Sequence, residues 1–312
     1  MNPRLIPVVA IVGPTAAGKT ELGVALAQAY GGEIVSADSR QIYRFMDIGT
    51  GKPTAAQRAE VPHHLLDIIK PDEEFSVAHY QEMAGAAIAD TERRGKFPFL
   101  VGGSGQYVWS LLQGFRLPQV PPKEALRKEL AAIAEEEGGV DWLFAQLQEA
   151  DPVAATRIDP RNVRRVIRAI EVTRATGVPF SQVGKAEPPP YRTLVVGLTM
   201  PREELYRRVD ARVDKMMEAG WLDEVRRLLE MGYSPTLPAL SSLGYEELIA
   251  HLRGEVTLPV AVAKIKQRTR RYAAHQYTWF RPADTRIRWF DVMTARQAEM
   301  AEAVATFLGK AC

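Results

Sequence analysis

Residues Gly13-Pro14-Thr15-Ala16-Ala17-Gly18-Lys19-Thr20 have the composition and spacing of a phosphate-binding loop. The loop follows the apolar run at 8–12 and opens a helical pattern over 20–30. Backbone N–H groups and the positive end of a helix dipole therefore converge on one anion. Gly13 and Gly18 permit the positive φ angles of such a turn. Lys19 supplies a full charge for the outer phosphates, and the Thr20 hydroxyl is placed to hold Mg²⁺. The expected ligand is a diphosphate or polyphosphate ester; the loop does not specify the reaction.

Asp38-Ser39-Arg40-Gln41-Ile42-Tyr43 puts a carboxylate and several hydrogen-bonding groups at the end of a second apolar run, 34–38. Three roles compete for Asp38: a Mg²⁺-holding carboxylate, a general base, or a helix N-cap, a position that Asp favours. Phosphate loops mostly serve ATP- or GTP-using kinases and hydrolases. Here no apolar strand ending in Asp clearly plays the metal-holding role of those enzymes, because the run 97–101 passes into Gly102-Gly103-Ser104-Gly105. That argues for a phosphorylated ligand other than an ordinary nucleotide.

The elements that must position these groups alternate. Short apolar runs at 8–12, 34–38 and 97–101 are separated by helical spacing over 20–30 and 76–94. This predicts an α/β core, P-loop NTPase-like, with a parallel sheet flanked by helices and ligands at the carboxyl ends of the strands. Asp38 and the 102–105 turn fall at such ends, beside the phosphate loop, and so are expected in one pocket. Proline clusters at 118–122 and 188–190 bracket a stretch whose pattern is helical through about 176, read as an all-helical insertion over 117–191. The core is then 1–116 with 192–312. A strand is expected at 193–198, mostly helix from 201, and a short strand at 287–290.

Two basic clusters stand out against a net charge of +2. Arg161, Arg164, Arg165 and Arg168 recur at helical spacing opposite Val163, Val166, Ile167 and Ile170, which predicts a guanidinium row over an inward-facing stripe. From Lys264 to Arg288 eight Lys or Arg face one acid, Asp284, with Tyr272, Tyr277, Trp279, Phe280 and Trp289 interleaved. Guanidinium forks match phosphate oxygens and aromatic faces stack on unpaired bases; solvated faces and core aromatics produce the same pattern. The 312 residues, 46% hydrophobic and 25% charged, suit a globular protein with a well-buried core. The only cysteine, Cys312, leaves no disulfide and no cysteine metal site. With no leader or membrane-spanning run, the expectation is a cytoplasmic protein; a monomer is expected alongside.

In matching order along nearly the whole chain, the residues resemble the tRNA dimethylallyltransferase family. The resemblance is carried by the loop at 13–20, by 38–43, and by Ile-Gly-Thr-Gly-Lys-Pro-Thr at 48–54. It continues in His-His-Leu-Leu-Asp at 63–67, Val-Gly-Gly-Ser-Gly-Gln-Tyr at 101–107, and Asp151-Pro152 with Arg157-Ile158. Leu-Gly-Tyr-Glu-Glu-Leu at 243–248, Thr-Arg-x-Tyr-Ala at 269–273 and the highly specific Gln-x-Thr-Trp-Phe-Arg at 276–281 complete it. It implies that the loop holds the diphosphate of dimethylallyl diphosphate with Mg²⁺, and that Asp38 is the base for the exocyclic N6 of an adenosine beside the tRNA anticodon, position 37. It also implies that Arg212 lies beside the leaving group. Ser39, Arg40 and Gln41 would bond the extruded base or its neighbours, and Ser104 with the segment Arg164, Arg165, Val166, Ile167 and Arg168 would contact the tRNA. Lacking the cysteines of a zinc finger, the chain resembles the bacterial type. It departs from the family at Ser104 and Gln106, usually Thr and Leu, and at Ala274-His275, usually Lys-Arg; the loss of two cations there affects a backbone contact rather than the chemistry. Three rivals share the loop: an ATP-dependent small-molecule or nucleoside kinase, a transferase that prenylates free adenine nucleotides, and a non-catalytic RNA-binding protein.

Overall fold

The structure, a computed structural model, describes residues 5–115, 120, 121, 123–183 and 187–310. The chain begins with β1 (Ile6–Val12), whose residues 8–12 are wholly removed from solvent, as expected of a central parallel strand covered on both faces. Next come α1 (Lys19–Tyr30), β2 (Gly32–Ser36), α2 (Ala55–Glu60), β3 (His63–His64), α3 (Val77–Arg93), β4 (Phe97–Val101) and α4 (Gly105–Leu112). Four helices follow: α5 (Glu124–Glu135), α6 (Gly139–Ala150), α7 (Pro152–Ala155) and α8 (Val163–Thr176). The chain continues through β5 (Tyr191–Thr199), α9 (Arg202–Glu218), α10 (Trp221–Glu230), α11 (Tyr245–Leu252), α12 (Leu258–Trp279), β6 (Ile287–Asp291) and α13 (Gln297–Leu308).

The six strands form one parallel sheet in the order β3-β2-β4-β1-β5-β6, with apolar clusters on both faces. The expectation of a parallel-sheet α/β core is met. Because β1 lies between β4 and β5, and β2 next to β4, the turns after β1, β2 and β4 emerge side by side at the carboxyl edge. The second strand ends earlier than the sequence suggests: β2 stops at Ser36, and Asp38 lies in the turn beyond it. No helix starts there among the described residues. The Asp38 carboxylate instead accepts the Arg40 N–H at 2.8 Å, so the N-cap reading gives way to a tight turn closed by the side chain.

The described residues divide into two compact units, 1–112 with 189–312, and 113–188. The expected insertion over 117–191 is corrected at its end, because Tyr191 opens β5 and pairs with Ile6. The smaller unit has its own core of Leu130, Leu143, Leu147, Ile158, Val166, Ile167 and Ile170. The Glu171 carboxylate is fully enclosed there. Burial works against its charge, but Arg127, the Lys123 N–H and Arg168 outweigh burial and hold its pKa at about 2. Asp151 caps α7 through the Ala154 N–H at 2.9 Å and also accepts from Ser181.

The arginine row is shorter than its spacing implied. Arg161 precedes α8 and is paired with Asp159, while Arg168 is held by Glu171 and the Val120 carbonyl. Arg164 and Arg165 are the exposed guanidinium groups of the first turn. The side chains of Val166 and Ile167 are buried in the core, which removes them as side-chain contacts for a nucleic acid.

Candidate active site

The phosphate loop has the backbone its glycines predict. Gly13 sits at φ +140°, and a Cβ there would come within 2.5 Å of the Leu198 carbonyl of β5, so only glycine fits between the two strand ends. Gly18 caps α1 at φ +89°. Ala16 also adopts a positive φ, +65°, which nothing in the sequence announced; such strain concentrates where a site needs a fixed shape. A distant side chain supplies the restraint. Gln276 of α12, 4% exposed, accepts the Thr15 N–H at 2.7 Å and donates to the Gly103 carbonyl at 2.9 Å. The glutamine that opens the 276–281 motif is thus a strut between the phosphate loop and the turn after β4.

One polar cleft, about 510 Å³ of empty space counting its mouth, is lined by Thr15, Lys19, Thr20, Asp38, Gln41 and Arg212, with Ser36, His63 and Gly102 in its wall. The structure therefore brings the loop, Asp38 and the α9 arginine together. Lys19 Nζ donates to the Pro14 carbonyl at 2.7 Å, and neither Lys19 nor Arg212 forms an ion pair among the described residues. Burial, reinforced by Arg212, pulls the Lys19 amine down to about 8; Asp38 and Glu21 pull the other way. Arg212 is also lowered by burial. Two cations that lose hydration without gaining a paired carboxylate have the electrostatics to hold an anion.

This shift gives a pH dependence. An anion binds the protonated amine, so a free-site pKa near 8 leaves affinity full below 8 and lets it fall as pH rises through 8 towards the higher pKa of the complex. Calorimetry with isopentyl diphosphate, a saturated ester that cannot ionise to a cation, should show affinity dropping by up to about tenfold per pH unit above 8. A flat profile to pH 9.5, matching that of Lys19→Met, would place the amine outside the contact.

Asp38, on the cleft wall, uses Oδ1 for the Arg40 N–H, so Oδ2 makes no hydrogen bond among the described residues. Gln41 is more engaged than the sequence suggested: its Nε2 donates to the carbonyls of Thr50 and Gly51 at 3.4 and 3.0 Å, and its Oε1 accepts from Ser36 at 3.3 Å. Ser39 and Ser104 are joined, the Ser39 N–H to Ser104 Oγ at 2.9 Å and the hydroxyls at 3.2 Å. They line a second cleft with Gln106, Tyr272, His275 and Trp279, so three of the positions departing from the family pattern share one wall. Arg40 is exposed and reaches the Pro238 carbonyl. Of the cluster 264–288, Lys266, Arg268, Arg270 and Arg286 are paired with Asp214, Glu246 and Glu247, Asp210 and Asp284, while Tyr272 and Trp279 remain exposed. The basic surface there is about half of what the composition implied.

Sequence reasoning missed His63 as a lining residue. Its Nδ1 contacts the Val61 carbonyl at 2.7 Å, and burial holds its pKa below the usual value, so the ring is neutral at pH 7 and brings no charge to the cleft. Only its place in the 63–67 motif pointed to it. No helix among the described residues is long and apolar enough to cross a membrane.

A family model described as IPP transferase matches residues 41–283, and one described as isopentenyl transferase matches 6–67. A protein of Roseiflexus castenholzii named tRNA dimethylallyltransferase is 56% identical over 277 residues, 89% of this chain and 90% of its own. The crystal structure of a tRNA isopentenylpyrophosphate transferase from Bacillus halodurans aligns with TM-score 0.72 and 42% identity over 97% of both chains. A eukaryotic dimethylallyltransferase acting on tRNA aligns with TM-score 0.80 at 27% identity, over 98% of this chain and 80% of that one. The chain belongs to the IPP transferase family.

Proposed function

We propose that the protein is a tRNA dimethylallyltransferase: it transfers the dimethylallyl group of dimethylallyl diphosphate to N6 of the adenosine 3′ to the anticodon of tRNA. The observation that carries this reading is the pair of unneutralised cations, Lys19 and Arg212, sharing one cleft with the free oxygen of Asp38. As the allylic C–O bond breaks, negative charge accumulates on diphosphate, and the loop N–H groups, Lys19 and Arg212 stabilise it more than they stabilise the bound substrate. The N6 lone pair is delocalised into the purine, so Asp38 removes its proton while the C–N bond forms. Thr20, in the first turn of α1 on the cleft wall, offers a hydroxyl oxygen next to the diphosphate position. That set fits Mg²⁺, which takes few protein oxygens and completes its shell with phosphate and water; when bound, the ion neutralises charge on the leaving group.

The adenosine must leave its stack to reach Asp38, so recognition rests on unpaired loop bases near Ser39, Arg40, Gln41 and Ser104, and on phosphates gripped by Arg164 and Arg165. Replacing Arg164 and Arg165 by glutamine should weaken tRNA binding and reduce the log–log salt slope by about 0.7–0.9 per lost contact, measured by filter binding. An unchanged slope would remove α8 from the interface. The activity test is incubation with labelled dimethylallyl diphosphate, Mg²⁺ and unmodified tRNA. Dimethylallyladenosine in the digested tRNA supports the reading; γ-phosphoryl transfer from ATP instead marks a kinase, and AMP outcompeting tRNA marks a nucleotide prenyltransferase.

A further inference from the structure

The segment 43–52 is held far more firmly than a surface connection requires. On one side the Lys52 amine, buried, donates to the Tyr43 carbonyl at 2.6 Å and pairs with Asp47 and Asp67 at 2.7 and 2.5 Å. On the other side lies Glu224 of α10, 1% exposed. Its Oε2 accepts the N–H groups of Asp47 and Ile48 at 2.8 and 2.7 Å, and its Oε1 accepts the Gly49 N–H at 3.1 Å and the Tyr245 hydroxyl at 2.7 Å. Burial, then the Glu224 charge, push the Tyr245 phenol well up, so it remains a donor. An enclosed carboxylate is costly unless its acceptor positions are filled, and here three consecutive amides and a phenol fill them. Trp221 and Tyr245, edge to face at 5.7 Å, close over the group.

The clasped segment lies behind the catalytic wall and touches two of its side chains, Arg212 and Gln41. Gly51, at φ +61°, lies so close to Arg212 that a Cβ would overlap a guanidinium nitrogen, and the carbonyls of Thr50 and Gly51 take both bonds from Gln41 Nε2. Glu224 and Tyr245 line neither cleft. We propose that Glu224 is a positioning residue: by clasping the amides of 47–49 it sets the backbone of 50–51 as the stop against which Arg212 is aimed at the leaving diphosphate. The geometry is independent of the activity, but the identity of the anion rests on the function proposed above. The clasp also gives a use to two motifs the sequence left without one: Tyr245 of 243–248 and the amides of 48–49 meet at a single carboxylate.

The test is a double-mutant cycle on binding of isopentyl diphosphate with Mg²⁺, without RNA, followed by calorimetry. Glu224→Gln turns an amide donor towards the backbone donors and frees the loop; it should weaken binding about 10-fold to 100-fold, the scale of a displaced contact group. In an Arg212→Ala background the same change should cost little, because the residue it positions is gone. Tyr245→Phe removes one bond to Glu224 and should give a smaller loss with the same coupling, which preserves the test where Glu224→Gln does not fold. A loss of equal size with and without Arg212, or unchanged affinity in folded Glu224→Gln, overturns the proposal. Strong coupling in a protein that prenylates no tRNA would uphold the clasp and defeat the activity.

Discussion

Asp38→Ala will lower turnover by about 10²–10⁴-fold while tRNA affinity barely moves, the scale of a lost general base. Alanine also removes the bond that closes the turn to Arg40, so the informative variant is Asp38→Asn. Asparagine Oδ1 accepts the Arg40 N–H as aspartate does, keeping the turn, but the amide cannot take a proton. If Asp38 is the base, Asn and Ala are comparably slow in single-turnover assays. If its role is to shape the turn, Asn restores most of the rate, and the proton must leave by another route. Losses of equal size in turnover and tRNA affinity would make Asp38 a binding residue.

Lys19→Met should lower both kcat and kcat/KM for dimethylallyl diphosphate by about 10²–10³-fold, the loss seen when one donor to a developing anion is removed. A diphosphate ester carries charge before reaction, but bond cleavage adds more, so a cation held in a desolvated wall contributes more at the transition state than in the ground state. Lys19 is such a cation, since burial has already brought it down to about 8. A rise in KM with kcat unchanged would mean uniform binding, and the stabilisation would then fall to the loop amides and Arg212. Arg212→Lys should not rescue an Arg212→Ala loss, because a point charge does not reproduce a guanidinium fork.

The parts of this molecule legible in its sequence are those written locally. The phosphate loop depends on residues within one turn, and five strands on short apolar runs, so these were placed to within two residues at their ends, whereas the two-residue β3 was not anticipated. The α8 row shows the limit of periodicity. Spacing identified a polar face, but whether an arginine is free depends on acids elsewhere: Glu171 holds Arg168, and Asp159 holds Arg161. The same holds for 264–288, where four cations are neutralised by α9, α11 or the turn before β6. Gln276, His63 and Glu224 were invisible as site residues for a related reason. The partners of Gln276 and Glu224 lie 261 and 177 residues away and meet them only in the folded chain, while His63 bonds nearby Val61 and reaches the cleft only through the fold.

The Gln276 strut has a consequence for synthesis. The Thr15 amide is translated early, yet the carboxamide that restrains it emerges 261 residues later. A nascent chain, or a fragment ending before α12, holds its loop unbraced at Thr15 and Gly103 alike. A loop braced at both points therefore exists only once α12 has been made, long after the loop itself.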